Sequence, residues 1–166
     1  SLENSIHPIV NELEANHTAG VVGGRVLNSD GTLQMACRRS FPTPINALYR
    51  LLGVSSLFPH SSKFAAYDLR YLDEHSRSEV DAVSGSFFGI RHSLFKDVGG
   101  FDERFFMYGE DLDLCRRVQL KDRDNIYIPS APMIHLKGRS ASARPWKSFY
   151  NFYEAMVVFS KIHYGQ

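Results

Sequence analysis

A short acidic stretch followed by two arginines carries the densest group of reactive side chains in the sequence. Glu110, Asp111 and Asp113 fall within four positions, and Arg116 and Arg117 follow them. The pattern predicts a helix whose first turn holds the acids, where unpaired backbone N–H groups and the helix dipole stabilise negative charge. Asp113 and Arg117 have the spacing of a surface ion pair worth a few tenths of a kcal/mol. Helix structure alone therefore accounts for these charges.

The neighbourhood of this helix favours a chemical role for its acids. Apolar residues within the helix are expected to bury it, and the segment 101–106 before it brings three aromatic residues that could form an apolar wall. A carboxylate pinned at the edge of a core is what a general base requires, because it has to reach a substrate hydroxyl while it remains ionised. We therefore predict a functional site where this helix begins.

Two pairs of aspartates separated by one residue resemble metal-binding motifs, but neither is predicted to hold a metal. Asp111 and Asp113 lie on the predicted helix, where residues two positions apart do not face each other. Asp122 and Asp124 fall in a polar segment between a helix and a strand, which is typical of a solvated turn.

A second group of polar residues follows a predicted strand. His135 is succeeded by Lys137, Gly138, Arg139 and Ser140. Imidazole can bind a divalent metal, lysine and arginine complement phosphate oxygens, and glycine lets the backbone approach a ligand closely. Ligand sites in α/β folds lie beyond the C-terminal ends of strands, which is where this segment begins. The residue types suit a diphosphate, and a structural histidine followed by a solvated loop is the alternative.

The elements that position these two groups alternate between strands and helices. The sequence predicts an opening amphipathic helix, strands at 20–27 and 32–36, a helix at 45–52, a strand at 80–83, helices at 93–98 and 110–121, strands at 126–128 and 133–136 around a turn at 129–132, and a helix from Pro145. This alternation predicts an α/β fold. The poorly periodic segment 38–77 is predicted to be functional or mobile.

Composition limits the classes of protein that the chain can belong to. The 166 residues, 43% hydrophobic and 22% charged, indicate one globular domain. The net charge of +1 argues against nucleic acid as a partner. The longest strongly apolar run, 155–159, is far shorter than the about 20 residues that a membrane span needs. Because the chain starts without Met inside a helical pattern, we expect a fragment of a longer protein.

Five segments of the chain carry a recognisable pattern in a fixed order. They are GVVGGRVL with NSDG at 20–31, SGSFFGIR at 84–91, VGGFDE at 98–103, GEDLDLC at 109–115 with Arg117, and IHLKGRS at 134–140. Together they resemble the C-terminal half of the family 2 glycosyltransferases, particularly the bacterial rhamnosyltransferase-like branch. The resemblance implies the C-terminal portion of a GT-A (Rossmann-like) α/β fold, with a mixed sheet flanked by helices. It also implies one partial domain over 1–166 whose nucleotide-binding half lies upstream.

The resemblance further implies an enzyme that transfers a sugar from a nucleotide-diphospho-sugar to a hydroxyl of a glycan or lipid-linked acceptor. The transfer would invert the anomeric configuration of the sugar and serve cell-envelope polysaccharide synthesis. Asp111 would be the general base, and Glu110 and Arg117 would orient its helix. Inversion needs only one carboxylate, because the acceptor oxygen attacks the sugar directly. Ser86 and Trp146 are assigned to the acceptor side.

The same resemblance implies a donor site at the second polar group. Lys137, Arg139 and Ser140 would bind the diphosphate, and His135 would touch a divalent metal, Mn²⁺ or Mg²⁺. The main D-x-D ligands of that metal are expected upstream, so the isolated chain is expected to be inactive. We expect a cytoplasmic location. The parent protein could act at the inner face of the plasma membrane and associate with it peripherally.

Two other functions are open at this point. In a non-catalytic carbohydrate- or partner-binding domain, the aromatic residues would stack on sugars and the acids would only cap a helix. A metal-dependent phosphoesterase would need further ligands beside His135, and the sequence shows none nearby. The remaining histidines, His163 among them, are predicted to be surface or packing residues.

Overall fold

Strands and helices alternate along the chain. A computed structural model describes residues 2–43, 45–46, 49, 52, 54–58, 61, 67–136 and 145–165. The elements are α1 (Leu2–Ala15), β1 (Ala19–Leu27), a 3₁₀ turn (Met35–Cys37), β2 (Arg38–Arg39), α2 (Val54–Leu57), β3 (Ser78–Glu79), β4 (Ala82–Val83), β5 (Phe88–Ile90), α3 (His92–Asp97), α4 (Glu110–Gln119), β6 (Asp124–Ile134) and α5 (Pro145–Tyr164). Residues 45, 46 and 49 are helical too, as predicted for 45–52.

The main sheet has four strands in the order β3-β6-β1-β5. Strands β1 and β6 run parallel, whereas β5 is antiparallel to β1 and β3 is antiparallel to β6. Strands β2 and β4 form a separate antiparallel pair. The α/β class with a mixed sheet flanked by helices, expected of the C-terminal portion of a GT-A fold, is confirmed.

Helices cover both faces of the main sheet, because side chains alternate across β1. Val22 packs with Ile9 of α1 on one face, and Val21 belongs to the core on the other. That second core includes Leu112 of α4 and Phe159 of α5, which are both 0% exposed. Helix α4, which carries the acids, is thereby fixed against the sheet.

Gly23 in β1 lies so close to β4 that there is no room for a side chain. A Cβ added at Gly23 would lie 2.5 Å from Cβ and 2.7 Å from Cγ1 of Val83. Forcing an extra methyl group into a packed core costs about 1–3 kcal/mol. We expect Gly23→Ala to lower the free energy of unfolding by that amount in a urea titration. In a double variant with Val83→Gly, which removes the Cβ together with both methyl groups, the loss should be smaller than the sum of the single losses, and additive losses would contradict the clash.

Two predicted elements near the sheet are wrong. No strand forms over 32–36; Leu33 makes one isolated bridge with Leu27, and the 3₁₀ turn follows. The turn predicted at 129–132 is an irregularity within the single strand β6, where pairing with β1 moves from Gly24–Ile128 to Arg25–Pro132. The strand continues there because Ala131 is fully buried.

Four short strands were also not anticipated in this form, and two of them, β2 and β3, were not predicted at all. β5 was not predicted either, because three partly buried residues give no clear period. The strand predicted at 80–83 is confined to Ala82–Val83, and Val80 lies between β3 and β4. Within the described ranges, no helix is both long and apolar enough to cross a membrane.

Candidate active site

Helix α4 begins directly after two residues with left-handed backbone conformation, Tyr108 (φ 69°) and Gly109 (φ 83°). A Cβ at Gly109 would lie 3.0 Å from the ring of Phe105 and 3.2 Å from Cβ of Ala155, so this position needs glycine. A positive φ at a bulky residue such as tyrosine is uncommon, and such strain concentrates at functional sites. The tight turn fixes where the first two acids of the helix lie.

Asp111 is held by three hydrogen bonds and is 8% exposed. Its Oδ2 accepts from Nη2 of Arg39 at 2.5 Å and from the backbone N–H of Gly85 at 2.8 Å. Its Oδ1 accepts from the backbone N–H of Leu112 at 2.8 Å. A carboxylate has about four lone-pair positions. These bonds therefore leave room on Oδ1 for one more donor.

Arg39 and Asp111 form a buried ion pair, with 10% and 11% of their side chains exposed. Burial by itself lowers the pKa of Arg39, but the negative charges around it, that of Asp111 first among them, together raise that pKa above its ordinary value. The guanidinium is therefore charged, and it orients the carboxylate.

Glu110 is held quite differently from its neighbour. Its Oε2 is buried and has no hydrogen-bond partner among the residues that the structure describes. Burial, and then the negative charge of Asp111, raise the pKa of Glu110 above its ordinary value of 4.5. Glu110 therefore combines a raised pKa with a buried oxygen that no described residue satisfies.

This raised pKa makes the Glu110 charge a cost to stability. Because the folded-state pKa lies above the unfolded-state value, the penalty sets in as the pH rises through the folded pKa and is complete above it. We expect Glu110→Gln to raise the melting temperature at pH 7.5, and the gain to shrink below about pH 4.5, where the carboxyl is protonated in both states. Differential scanning calorimetry at both pH values checks this. The control is Glu14→Gln, at an exposed position. A Glu110→Gln protein that melts at a lower temperature than the parent chain at pH 7.5 would contradict the prediction.

Asp113 and Arg117 do not form the surface pair that was predicted. Asp113 is 0% exposed. Its Oδ2 accepts from Nε and Nη2 of Arg117 at 2.8 and 2.5 Å, and its Oδ1 lies 2.7 Å from Nε2 of His163. Arg117 also donates to the carbonyls of Val98 and Gly100. The prediction was wrong because α5 packs over this face of α4, and the network ties α4 to α5 and to the turn after α3.

Four of the predicted site residues line one cavity of about 370 Å³, which we name the carboxylate cavity. They are Ser86, Glu110, Asp111 and His135. The other residues that line it are Gln34, Ala36, Arg39, Ser84, Gly85, Tyr108, Gly109, Phe152 and Met156. The structure therefore brings the acidic helix start and the strand-end histidine together.

A larger cavity of about 780 Å³, which we name the aromatic cavity, adjoins the carboxylate cavity. Its lining residues are Phe101, Asp102, Glu103, Phe105, Phe106, Met107, Tyr108, Glu110, Lys147, Ser148 and Asn151. Tyr108 and Glu110 line both cavities. The apolar wall predicted from segment 101–106 thus exists, and it faces Glu110.

The contacts of Gln34 favour one neutral tautomer of His135. Gln34 donates from Nε2 to the carbonyls of His135 and Leu27, at 2.6 and 3.2 Å, which fixes the orientation of its amide. Its Oε1 therefore faces Nδ1 of His135, 3.3 Å away, a contact that favours the neutral tautomer with its proton on Nδ1. In that tautomer Nε2 has a lone pair, which is the form that binds a metal or accepts a hydrogen bond.

The part of the chain that the structure describes holds no group of three or more His, Cys, Asp or Glu side chains suited to a metal. Asp111 and Asp113 turn to different partners, as predicted for residues two apart on a helix. For a metal, the described residues of the carboxylate cavity offer one imidazole, that of His135, besides the carboxylates of Glu110 and Asp111.

Other predicted site residues are placed as follows. Lys137, Arg139 and Ser140 lie outside the described residues. Trp146 is 84% exposed at the start of α5, beside Lys147 of the aromatic cavity. Arg117 lies in the Asp113 network described above.

Three residues of the site region were missed by sequence reasoning. Arg39 lies in the irregular segment 38–77, Gln34 in a predicted strand, and His163 was assigned to surface or packing. Their partners are 72, 101 and 50 residues away along the chain. The only local signal was the pair Arg38–Arg39 beside apolar residues.

Comparison with known proteins shows that the chain is similar to sugar-transferring enzymes. It is 32% identical over 141 residues to an N-acetylglucosaminyl-diphospho-decaprenol L-rhamnosyltransferase of Mycobacterium tuberculosis, covering 85% of this chain and 45% of that protein. It is 44% identical over 61 residues to rhamnosyltransferase WbbL of Escherichia coli K12, covering 37% of this chain and 23% of that protein. No family model matches.

A third relative extends the comparison beyond bacteria. The low-salt glycan biosynthesis hexosyltransferase Agl10 of Haloferax volcanii is 30% identical over 114 residues, covering 69% of this chain and 31% of that protein. The chain therefore spans less than half the length of these relatives. The resemblance to rhamnosyltransferase-like glycosyltransferases is confirmed.

Proposed function

This chain is a relative of rhamnosyl- and hexosyltransferases, and on that premise we propose that it is the acceptor-side, base-carrying half of an inverting glycosyltransferase. The observation that carries the proposal is the Asp111 carboxylate, fixed in a cavity with room on Oδ1 for one more donor. We use "complete enzyme" for this chain together with the donor-binding half that the resemblance places before it.

The chemistry follows from that geometry. Oδ1 of Asp111 accepts the proton of an acceptor hydroxyl while the hydroxyl oxygen attacks the anomeric carbon of the donor sugar. The bond from that carbon to the diphosphate oxygen breaks, and its electron pair leaves with the nucleoside diphosphate. Arg39 and the N–H of Gly85 hold Oδ2, so the carboxylate keeps its position through the step.

The departing diphosphate belongs, in this proposal, on the His135 side of the carboxylate cavity. Nε2 of His135 has the lone pair needed to bind a divalent ion, Mn²⁺ or Mg²⁺, whose remaining ligands would come from the upstream half. Such an ion offsets negative charge that develops on the diphosphate. Lys137, Arg139 and Ser140 keep the diphosphate-binding role that the resemblance implies.

The names of the relatives guide the proposed substrates. Two are rhamnosyltransferases, and one of these names an N-acetylglucosaminyl-diphospho-lipid acceptor. We propose a nucleotide-diphospho-sugar donor, L-rhamnose first among its sugars, and a lipid-linked or glycan acceptor of the cell envelope, with the reaction on the cytoplasmic side of the membrane.

Acceptor-dependent release of nucleoside diphosphate tests this function. The complete enzyme is incubated with uridine- and thymidine-diphosphate sugars, with and without a lipid-linked N-acetylglucosaminyl diphosphate, in Mn²⁺, Mg²⁺ or EDTA. We expect release only when acceptor and metal are both present. Glycan binding without release from any donor would contradict an enzyme and favour the non-catalytic carbohydrate-binding domain.

A further inference from the structure

Gln34 is a buried polar residue of the carboxylate cavity that the proposed reaction does not use. Its side chain contacts His135, whose imidazole lies on the diphosphate side of that cavity in the proposed function. We propose that Gln34 is a positioning residue: it holds the His135 ring in one orientation and one tautomer, so that Nε2 keeps a lone pair for the divalent ion of the donor site. This inference rests on the proposed glycosyltransferase function.

The main chain fixes the point from which the side chain of Gln34 extends. The N–H of Gln34 donates to the carbonyl of Val26 at 2.8 Å, and its own carbonyl accepts from the N–H of Cys37, at the end of the 3₁₀ turn, at 2.9 Å. Gln34 is also only 3% exposed. A side chain locked by packing and hydrogen bonds can hold a neighbouring functional group in place.

The amide of Gln34 joins the ends of two parallel strands. Just beyond the last pair of β1 and β6, Leu27 with Ile134, Nε2 of Gln34 donates to the carbonyl of His135 at 2.6 Å and to that of Leu27 at 3.2 Å. An amide NH₂ group has two protons, which matches these two acceptors. A flipped amide would instead place Oε1 against two carbonyl oxygens. The direction of Oε1 is therefore fixed.

This fixed oxygen acts on the imidazole ring. Oε1 of Gln34 lies 3.3 Å from Nδ1 of His135, and an amide oxygen can only accept a hydrogen bond. Neutral imidazole gains this bond only when its proton is on Nδ1, and no described residue bonds to Nε2. Histidines that bind metals are commonly held through the other ring nitrogen in this way, and loss of such a partner typically costs about 10–100-fold in metal affinity or activity.

The segment that carries Gln34 also supports the proposed base. Arg39 follows Gln34 by five positions, after the 3₁₀ turn, and donates to Asp111. One short piece of backbone thus supports both the base and the histidine of the carboxylate cavity. Shared support keeps the two groups at a constant separation, and direct displacement depends on such fixed geometry.

A purely structural role for Gln34 has to be distinguished, because a buried amide that satisfies two carbonyls also stabilises the fold. Asn125 provides the matched control. It is 1% exposed, and its Nδ2 donates to the carbonyls of Asp81 at 2.7 Å and Cys115 at 3.0 Å. It does not line the carboxylate cavity. Asn125→Leu therefore removes a comparable pair of buried hydrogen bonds without touching His135.

NMR reads the tautomer of His135 directly and needs no turnover. Long-range ¹H–¹⁵N correlation spectra of the imidazole nitrogens are recorded at about pH 8.5, where histidine side chains are ordinarily neutral. The signals of His135 are those lost in His135→Asn. We expect the Nδ1–H form in the parent chain, a shift towards the Nε2–H form that free histidine prefers in Gln34→Met, and no shift in Asn125→Leu.

Two results of this experiment would overturn the inference. An Nε2–H ring in the parent chain would do so whether or not any variant folds. An unchanged tautomer in folded Gln34→Met protein would do so as well, because Gln34 would then have no influence on the ring.

The complete enzyme separates this inference from the proposed function. We expect Gln34→Met to raise the Mn²⁺ concentration for half-maximal transfer about ten-fold, whereas Asn125→Leu should need as much Mn²⁺ as the parent. If transfer by Gln34→Met needs no more Mn²⁺ than the parent, the inference is wrong and the proposed function stands. If the parent enzyme consumes no donor although His135 has the expected tautomer, the proposed function is wrong, and with it the role of Gln34.

Discussion

Asp111→Asn is expected to lower sugar transfer by the complete enzyme about 10²–10⁴-fold, the range over which a positioned general base contributes. Asparagine keeps the shape of the side chain, but its one carbonyl oxygen can accept from only one of Gly85 and Leu112, which bind different oxygens of Asp111, and its amide cannot take a proton from an acceptor hydroxyl. Donor affinity should change little, because the diphosphate side of the cavity is untouched. Single-turnover transfer and donor titration by calorimetry measure the two effects separately.

The same substitution should also destabilise the fold. It leaves the Arg39 guanidinium buried without its counter-charge, and removing one partner of a buried ion pair costs about 3–5 kcal/mol. Rates therefore have to be normalised to the folded fraction, determined by chemical denaturation. The double variant Arg39→Met with Asp111→Asn should regain part of the stability and none of the activity. Transfer at the parent rate by folded Asp111→Asn protein would contradict the base assignment.

Asp113→Asn is expected to reduce the free energy of unfolding by about 3–5 kcal/mol as well. Asp113 is fully buried, and its two oxygens hold Arg117 and His163, so its loss unpairs the guanidinium and loosens α5 from α4. Urea denaturation followed by circular dichroism gives the value. A loss below about 1 kcal/mol would mean that the network behaves like the exposed ion pair the sequence had indicated.

Asp113→Asn also serves as the matched control for Asp111→Asn. Both residues are buried aspartates of α4 that pair with an arginine, but of the two only Asp111 lines the carboxylate cavity. We expect Asp113→Asn protein that remains folded to keep transfer within a few-fold of the parent rate. Equal losses of transfer rate in the two variants would show that the loss in Asp111→Asn comes from general destabilisation.

Local patterns in the sequence identified the elements that carry the site. The first turn of α4, the strand end at His135 and the start of α5 at Pro145 were all predicted, because helix ends and strand ends have short-range signals. The resemblance then linked α4 to His135, and the structure places both in one cavity. The β6 irregularity was mistaken for a turn, because proline and serine are typical of turns and the burial of Ala131 cannot be read locally.

The contacts that define the state of each acid could not be predicted. Asp111 and Asp113 look equivalent in the sequence, and only the packing of distant segments makes one a cavity residue and the other part of an interior network. Arg39 and His163 reach α4 over 72 and 50 residues of chain. Glu110 appeared to be an ordinary helix-start acid, and the buried oxygen that no described residue satisfies has no signal in the sequence.

The anomeric configuration of the first product tests the central claim most directly. The complete enzyme is given a nucleotide sugar of known configuration, and the product is read by NMR before it can equilibrate. Direct attack by an acceptor hydroxyl, with Asp111 as the base and no covalent sugar–enzyme intermediate, predicts a product of inverted configuration. A product of retained configuration would contradict the account, because it requires a second displacement or a different course of attack.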